Sequence, residues 1–150
     1  MFKHLLVPTD GSPMSVETTD KAITFARETG ARISFLYVKP EFPIALYGEG
    51  ALVDPSTPQQ FAELAEQQSN TILSACAEKA KSAGVNCACS SQTNGSIYSA
   101  IVSAAKDVGA DLIFMASHGR RGISSLLLGS ETHKVLTHSA IPVLVFRQQG

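Results

Sequence analysis

Residues 111–130, with the sequence DLIFMASHGRRGISSLLLGS, determine the predicted fold. After its first residue, the run at 111–116 is short and apolar on both faces, which is typical of a buried strand in a parallel sheet. A glycine-rich turn follows this strand, and a helix is predicted over 130–137. A buried strand, a glycine-rich turn and a helix in succession indicate an α/β fold.

Apolar runs and helical stretches alternate along the rest of the chain. Further strands are predicted over 5–7, 33–38 and 141–146, and with a weaker pattern over 85–92. Helices are predicted over 12–29, 59–83 and 96–108. This alternation predicts a single-domain α/β protein with a five-stranded, mostly parallel sheet and helices on both faces. Ligands bind such sheets beyond the carboxyl ends of the strands, so the loops after Val7, Val38 and Ala116 are the candidate positions.

Length and composition exclude several classes of protein. The chain has 150 residues, which predicts one domain spanning residues 1–150. Hydrophobic residues make up 44% and charged residues 17%, a balance that excludes intrinsic disorder. The net charge is -1, without the basic excess of a nucleic-acid binder. No apolar run approaches the roughly 18–20 residues that cross a membrane, and the apolar run at 5–7 is too short for a signal peptide, so we expect a cytoplasmic protein.

The cysteines and one long connection need separate interpretations. Cys76, Cys87 and Cys89 are odd in number, and we expect small buried or half-buried residues, with redox or metal chemistry as the alternative. If 85–92 is a strand, Cys87 and Cys89 point to the same face. Residues 39–58 form a connection rich in proline and apolar residues, which predicts packing on a partner subunit or over a ligand; packing on its own domain is the alternative.

The turn between Ala116 and Ser130 has the composition of a phosphate site. Glycines such as Gly119 and Gly129 allow close backbone approach, and a helix N-terminus presents unpaired N–H groups to an anion. The Ser130 hydroxyl and the Arg120 guanidinium add donors. A polar turn with surface arginines is the alternative.

A second candidate site follows the first predicted strand. Asp10 lies where that strand ends and a helix begins, so its carboxylate suits ribose hydroxyls, a metal ion or the helix cap. Ser12 is a second candidate for the cap. His118, His133 and His138 are predicted to make local hydrogen bonds, because no metal-ligand spacing connects them.

The last predicted strand, 141–146, is a candidate subunit interface. Pro142 cannot donate a ladder hydrogen bond, which fits an edge position or a strand start. Two such edges paired antiparallel about a twofold axis would satisfy each other. A strand flanked on both sides within one subunit is the alternative. The predicted interface consists of Pro142, Val143, Leu144, Val145 and Phe146.

The chain contains, in this order, VPTDGS at 7–12, FLYV at 35–38, ADLIFMASHG at 110–119, LLLGS at 126–130 and IPVLVFR at 141–147. Together these five segments resemble the universal stress proteins of the UspA superfamily. The resemblance covers essentially the whole chain and implies a Rossmann-like fold of the adenine nucleotide alpha hydrolase-like kind. In the ATP-binding branch the phosphate loop follows G-x2-G-x9-G-[ST], a register that falls on Ala116, Gly119, Gly129 and Ser130. Alanine replaces the first glycine, and its methyl group is expected to crowd ribose or phosphate and to resist positive φ.

The resemblance also implies a ligand and its contacts. The implied cofactor is ATP, with Mg²⁺ or Mn²⁺ held at Asp10, and Val38 is expected to offer backbone groups to adenine. The implied nucleotide-binding residues are Pro8, Thr9, Asp10, Val38, Ala116, His118, Gly119, Arg120, Gly129, Ser130 and Glu131. The implied function is a homodimeric, ATP-binding module of the stress response, without a catalytic residue for efficient turnover. A stress protein that binds no nucleotide and acts as an interaction module, and a slow ATPase or phosphotransferase, are the alternatives.

Overall fold

A parallel five-stranded sheet forms the centre of the molecule. The computed structural model describes residues 1–42, 57–118 and 128–148. The strands are β1 (His4–Pro8), β2 (Arg32–Lys39), β3 (Cys87–Thr93), β4 (Leu112–Ala116) and β5 (Val143–Phe146). Their order in the sheet is β3-β2-β1-β4-β5, and every neighbouring pair is parallel. The predicted fold class is therefore confirmed, with a sheet that is parallel throughout.

Within the described ranges, four helices connect the strands: α1 (Pro13–Thr29), α2 (Pro58–Ser82), α3 (Ile97–Val108) and α4 (Ser130–His138). The Ser12 side chain caps α1 by accepting from the backbone N–H of Ser15, and Gly30 ends it at φ 76. Thr57 and Gln60 form a reciprocal capping box at the start of α2. In the described part of the chain, no helix combines the length and apolar character that crossing a bilayer requires.

The helices cover both faces of the sheet, as predicted. Alternate strand residues point to opposite faces, so Leu5 and Phe35 pack under α1 and α2. Leu6, Leu36 and Ile113 face the other way and pack with α3 and α4. Burial on both faces is the reason why these strands are continuous apolar runs in the sequence.

Two strand boundaries differ from prediction for local reasons. Residue 85 is not yet in a strand, because the Val85 N–H bonds the carbonyl of Ala80 in the turn that ends α2. The last strand begins at Val143 rather than at residue 141, because the Ile141 N–H bonds the Ser139 hydroxyl and Pro142 has no N–H.

The structure tests the predictions for the three cysteines and, in part, for the long connection at residues 39–58. Cys76 is buried and Cys87 half-buried, as predicted, but Cys89 is exposed because β3 lies at the sheet edge. The prediction for residues 39–58 falls largely on 43–56, which lie outside the described residues. At the ends of that segment, Lys39 pairs with Glu66 of α2 at 2.6 Å, and the ring of Phe42 packs edge-on against Phe61 of α2.

The strand order fixes where the chain reverses direction across the sheet. From β1 the chain moves outward to β2 and β3, and it then returns to the other side of β1 to form β4 and β5. The switch point thus lies between the carboxyl ends of β1 and β4, where ligands bind in open α/β sheets.

Candidate functional site

The loops after β1 and β4 meet at this switch point. The Ser117 hydroxyl, one residue beyond β4, lies 3.5 Å from the sulfur of Met14 in the first turn of α1. The Thr9 N–H, one residue beyond β1, bonds the carbonyl of Leu36 at 2.9 Å. The structure therefore brings together the two segments that were predicted separately as candidate sites.

Hydrogen bonds hold the loop after β1 in a fixed shape. The hydroxyls of Thr9 and Ser15 are 2.6 Å apart, and the Asp10 N–H donates to Ser15 Oγ at 3.1 Å. The Asp10 carboxylate accepts from the Ser12 N–H at 2.9 Å. Ser12 therefore caps α1 as predicted. The Asp10 side chain instead stabilises the turn immediately before that helix.

Gly129 occupies a position where any Cβ would make a tight contact with the loop after β4. Its N–H bonds the Ser117 carbonyl at 2.8 Å. A Cβ at this position would lie 3.1 Å from that carbonyl oxygen and 3.3 Å from the Cα of His118. Because φ at Gly129 is -62°, close approach and not backbone conformation is the reason for glycine here.

The first turn of α4 presents donors beside the Ser117–His118 segment. Gly129 is the N-cap of α4 and supplies no side-chain cap. The N–H groups of Ser130, Glu131 and Thr132 lie in the first turn, where an α-helix provides no internal acceptor. This end of the helix carries partial positive charge, and an anion is stabilised there.

Ala116 fits the backbone at the first motif position. It is the last residue of β4, paired with Phe146 of β5, so its backbone is extended and needs no positive φ. Its carbonyl accepts from the Thr132 hydroxyl at 2.9 Å, which ties the end of β4 to α4. Of the two effects expected for alanine, backbone resistance is therefore absent, and crowding by the methyl group stays a prediction.

His118 is 8% exposed, and its Nδ1 lies 3.1 Å from the Ser117 hydroxyl. His138 Nδ1 donates to the Lys134 carbonyl at 2.8 Å. Local hydrogen bonding is confirmed for both, and it stays a prediction for His133. In the described ranges, no group of three or more histidine, cysteine or acidic side chains is arranged to hold a metal ion.

Glu131 has a role that the sequence did not indicate. Its carboxylate accepts from the backbone N–H of Tyr98 at 3.0 Å, in the first turn of α3. Ser96, the N-cap of α3, makes no side-chain cap hydrogen bond, so Glu131 supplies this one from α4. The other carboxylate oxygen is 3.4 Å from the Lys134 ammonium. From the sequence, a glutamate in the first turn of a helix is expected only to interact favourably with the dipole of that helix. Nothing in the sequence spacing indicates that Glu131 caps a second helix.

The remaining predicted site residues lie along the same sheet edge or outside the described part. Pro8 ends β1 and is half-buried, next to Leu36 of β2. Val38, near the end of β2, packs on the core beneath α3 and α4. Gly119 and Arg120 lie outside the described residues, so their predicted phosphate contacts stay predictions.

Sequence comparison decides the family. The profile of the Universal stress protein family matches residues 1–147. The chain is 34% identical to the universal stress protein YxiE of Bacillus subtilis, over 98% of this chain and 100% of that protein. This chain belongs to the universal stress protein family. It is also 30% identical to the universal stress protein MJ0531 of Methanocaldococcus jannaschii, over 99% of this chain and 84% of that protein.

Solved structures of family members share the fold. The structure of MJ0577 superposes with a TM-score of 0.83 at 24% identity, over 100% of this chain and 99% of that chain. A universal stress protein in complex with cAMP gives 0.71 at 23%, over 99% of both chains. A family member from Arabidopsis thaliana with AMP bound gives 0.70 at 15%, over 99% of this chain and 93% of that chain. At these identities the likeness establishes the fold alone.

Proposed function

We propose that this universal stress protein is a regulatory module that binds ATP in the crevice between the carboxyl ends of β1 and β4. The observation that carries the proposal is the close approach of Gly129 to the Ser117 carbonyl. That contact sets the donor-bearing end of α4 directly beside the switch point, where a nucleotide phosphate gains both hydrogen bonds and the favourable helix field.

Each part of the nucleotide has candidate partners at this edge. The phosphates are assigned to the hydroxyl and N–H of Ser130 and to the N–H groups that follow it in α4, with Gly119 and Arg120 added by family resemblance. The ribose is assigned to the turn at Asp10, and adenine to the backbone at Val38 near the end of β2. Pro8, Thr9, Ala116 and His118 line the space between them.

The Asp10 carboxylate is also the candidate ligand for an ATP-bound metal ion. Mg²⁺ is commonly held by one or two carboxylates together with substrate phosphates, so a single aspartate beside the phosphates fits that donor set. When bound, such an ion would neutralise phosphate charge. The protein's own contribution is the fixed turn, in which the Ser12 N–H orients the Asp10 side chain at 2.9 Å.

The adenine specificity is supported by the relatives. Two family structures with this fold hold adenine nucleotides, one cAMP and one AMP. Both nucleotides contain adenine, ribose and one phosphate. ATP is the more specific assignment, and it rests on the match of Gly119, Gly129 and Ser130 to the phosphate-loop pattern of the ATP-binding branch.

We place the role in binding and not in rapid turnover. Efficient phosphoryl transfer needs a positioned base as well as charge neutralisation. The Glu131 carboxylate, the second acid in the predicted site, is bonded to Tyr98 and Lys134. ATP occupancy is therefore proposed to act on the shape and partners of the module, which we expect in the cytoplasm.

The module is further proposed to be a homodimer that pairs through β5. This strand is last in the sheet order, which supports the edge position predicted from Pro142. Its residues are half-buried in the single chain. An antiparallel pair of such edges about a twofold axis would complete both ladders.

Calorimetric titration with ATP tests the nucleotide proposal. Replacing Ser130 with alanine removes a hydroxyl while keeping a residue that favours helices, and losing one hydrogen bond to a charged group should weaken ATP about tenfold or more. Ser74→Ala, on an exposed position of α2, is the matched control and should bind as the wild type does. AMP is titrated in parallel to separate phosphate contacts from adenosine contacts.

The outcomes separate the proposal from its alternatives. Equal ATP affinity in the wild type and Ser130→Ala would contradict the assignment of phosphate to α4. Wild-type protein that binds neither ATP nor AMP would overturn the nucleotide proposal and favour the interaction module that binds none.

A further inference from the structure

Two of the three cysteines share one face of the edge strand β3. Residues two apart in a strand point to the same side, so Cys87 and Cys89 lie together. Their register partners on β2 are Ile33 and Phe35, and both belong to the core beneath α1 and α2. The two thiols therefore lie on the side of the sheet that α2 covers.

Contacts with α2 and the neighbouring core define the positions of Cys87 and Cys89 further. Cys89 Sγ lies 3.6 Å from the carbonyl oxygen of Leu73, near the middle of α2. Cys87 packs on the core that also contains Cys76. Cys89 is exposed, Cys87 is half-buried and Cys76 is buried, so the pair on β3 is reached from solvent at the sheet edge.

Cys87 and Cys89 also affect each other's ionisation. Partial desolvation of this exposed residue against α2, followed by the charges that Cys87 and Cys76 would carry, raises the pKa of Cys89 to about 11. Burial also raises the pKa of Cys87, and hydrogen bonding to Cys89 opposes this rise. Protonated thiols are poor nucleophiles, so these raised pKa values disfavour nucleophilic chemistry at the pair. A cation shared by both sulfurs would instead compensate the charges that disfavour ionisation.

The number of available sulfurs selects the kind of cation. Structural zinc takes four ligands, and within the described residues no group of three or more cysteine, histidine or acidic side chains is placed around one point. Thiolate sulfur is a soft ligand that suits Cu(I) as well as zinc and iron–sulfur clusters. Cu(I) is also stable with two sulfur ligands in a linear arrangement.

We propose that Cys87 and Cys89 form a two-coordinate site for Cu(I) at the edge of the sheet. Each thiol releases its proton to solvent, and each sulfur donates an electron pair to the ion. Copper stays in the +1 state, so no oxidant or reductant takes part. The site lies toward the amino ends of the strands, since Cys87 begins β3, and it is separate from the proposed nucleotide crevice.

The test is anaerobic titration of the full, reduced chain with Cu(I) in competition with a chromogenic Cu(I) chelator. The wild type should bind one equivalent and show an ultraviolet thiolate-to-copper absorption band. Loss of an outer-shell partner already costs about 10- to 100-fold in metal affinity, so Cys87→Ser and Cys89→Ser should each lose at least that much. Two protons leave on binding, so the apparent affinity should rise about a hundredfold per pH unit near neutrality.

Matched variants keep the outcome decisive. Serine already follows in the same strand at Ser90 and Ser91, so the two serine variants should keep the fold, which circular dichroism checks. Cys76→Ala removes the third thiol of the same core and should leave Cu(I) affinity unchanged. An equal loss in Cys76→Ala, or wild-type affinity no higher than that of the Cys87→Ser/Cys89→Ser double variant, would overturn the two-thiol site.

Discussion

The carboxylate of Glu131 in α4 caps α3 by accepting the backbone N–H of Tyr98 at 3.0 Å. The helix that begins at the proposed phosphate site is thereby fixed to the neighbouring helix of the same layer. Glu131 follows Ser130 directly, so the contact between the helices lies one residue from the Ser130 hydroxyl. Rigid placement of donors is what a preorganised anion site requires.

Replacing Glu131 with alanine should destabilise the fold. A lost N-terminal cap costs about 1 kcal/mol, and we expect a loss of that size in the free energy of unfolding measured by urea denaturation. Glu131→Gln keeps an acceptor oxygen and should lose less. Lys134→Ala removes the ion pair with Glu131 but keeps the cap, and a helical pair of this kind contributes only about 0.2–0.5 kcal/mol. A larger loss in Lys134→Ala than in Glu131→Ala would show that the ion pair, and not the cap, carries the effect.

Replacing Ala116 with glycine should separate ligand contact from backbone effects. Ala116 is extended at the end of β4, and glycine inside a strand costs roughly 0.5–1 kcal/mol through the entropy of the unfolded chain. We therefore expect lower stability by urea denaturation. ATP affinity by calorimetry should be unchanged or modestly tighter, by about 1 kcal/mol or less, because a methyl group leaves the crevice. Clearly weaker ATP binding in Ala116→Gly would show that alanine is the preferred residue at this position.

The fold was predictable because burial on both faces of a parallel sheet leaves an apolar run at each central strand, such as 33–38. The position of Gly129 directly before α4 was also predictable, but its close approach to the loop after β4 was not. The distance of 3.1 Å from a Cβ at this position to the Ser117 carbonyl depends on how β4 and α4 meet. The Glu131–Tyr98 contact joins residues 33 apart, and only the packing of α3 on α4 creates it.

The buried surroundings of His4 could not be predicted from the sequence, for a similar reason. It begins β1 at the amino end of the sheet, is 7% exposed, and its Nε2 lies 2.7 Å from the Ser34 hydroxyl. In the sequence it is a single histidine before an apolar run. Its surroundings arise only when β1, β2 and β4 align, which brings Arg32 and Asp111 beside it.

Acidification should destabilise the protein through His4. Burial, with a further contribution from Arg32, lowers the pKa of His4 below its ordinary value of 6.5, against the opposing effect of Asp111. The unfolded chain therefore binds a proton at a higher pH than the folded chain does. Stability from His4 is complete above pH 6.5 and is lost as the pH falls through the lower pKa of the folded state. Urea denaturation between about pH 7 and pH 5 should show this decline.

Two variants identify which residue causes the loss of stability in each pH range. His4→Gln keeps a hydrogen-bonding side chain without a titrating ring and should flatten the decline in this range. Asp111 acts at lower pH: although burial opposes the shift, the N–H groups of Lys3 and His4 lower its pKa below the ordinary 3.8. Its stabilising contribution is therefore lost only below that value, and Asp111→Asn should change the profile there. A decline between about pH 7 and pH 5 that is identical in His4→Gln and the wild type would exclude His4 as its source.

A test of the predicted dimer needs a substitution in β5 that affects the strand edge without disturbing the core of the subunit. Val143 packs on the core beneath α3 and α4, while Leu144 and Phe146 pack on the core beneath α1 and α2. A lysine at any of these three positions would disturb the subunit itself. Val145 lies in the same half-buried strand and is not part of either core cluster in the described chain. Val145→Lys is therefore the cleaner test of the edge, with Val143→Lys as a second variant.

Light scattering should show a dimeric wild type and a shift toward monomer in Val145→Lys. A charge at a sheet edge opposes strand addition, and two copies about a twofold axis would bring both lysines to the same interface. Val16→Lys, at an exposed apolar position of α1 that is 41% accessible, is the matched control and should stay dimeric. Circular dichroism of each variant distinguishes dissociation from unfolding. A monomeric wild type, or a folded Val145→Lys and Val143→Lys that both stay dimeric, would contradict pairing through β5.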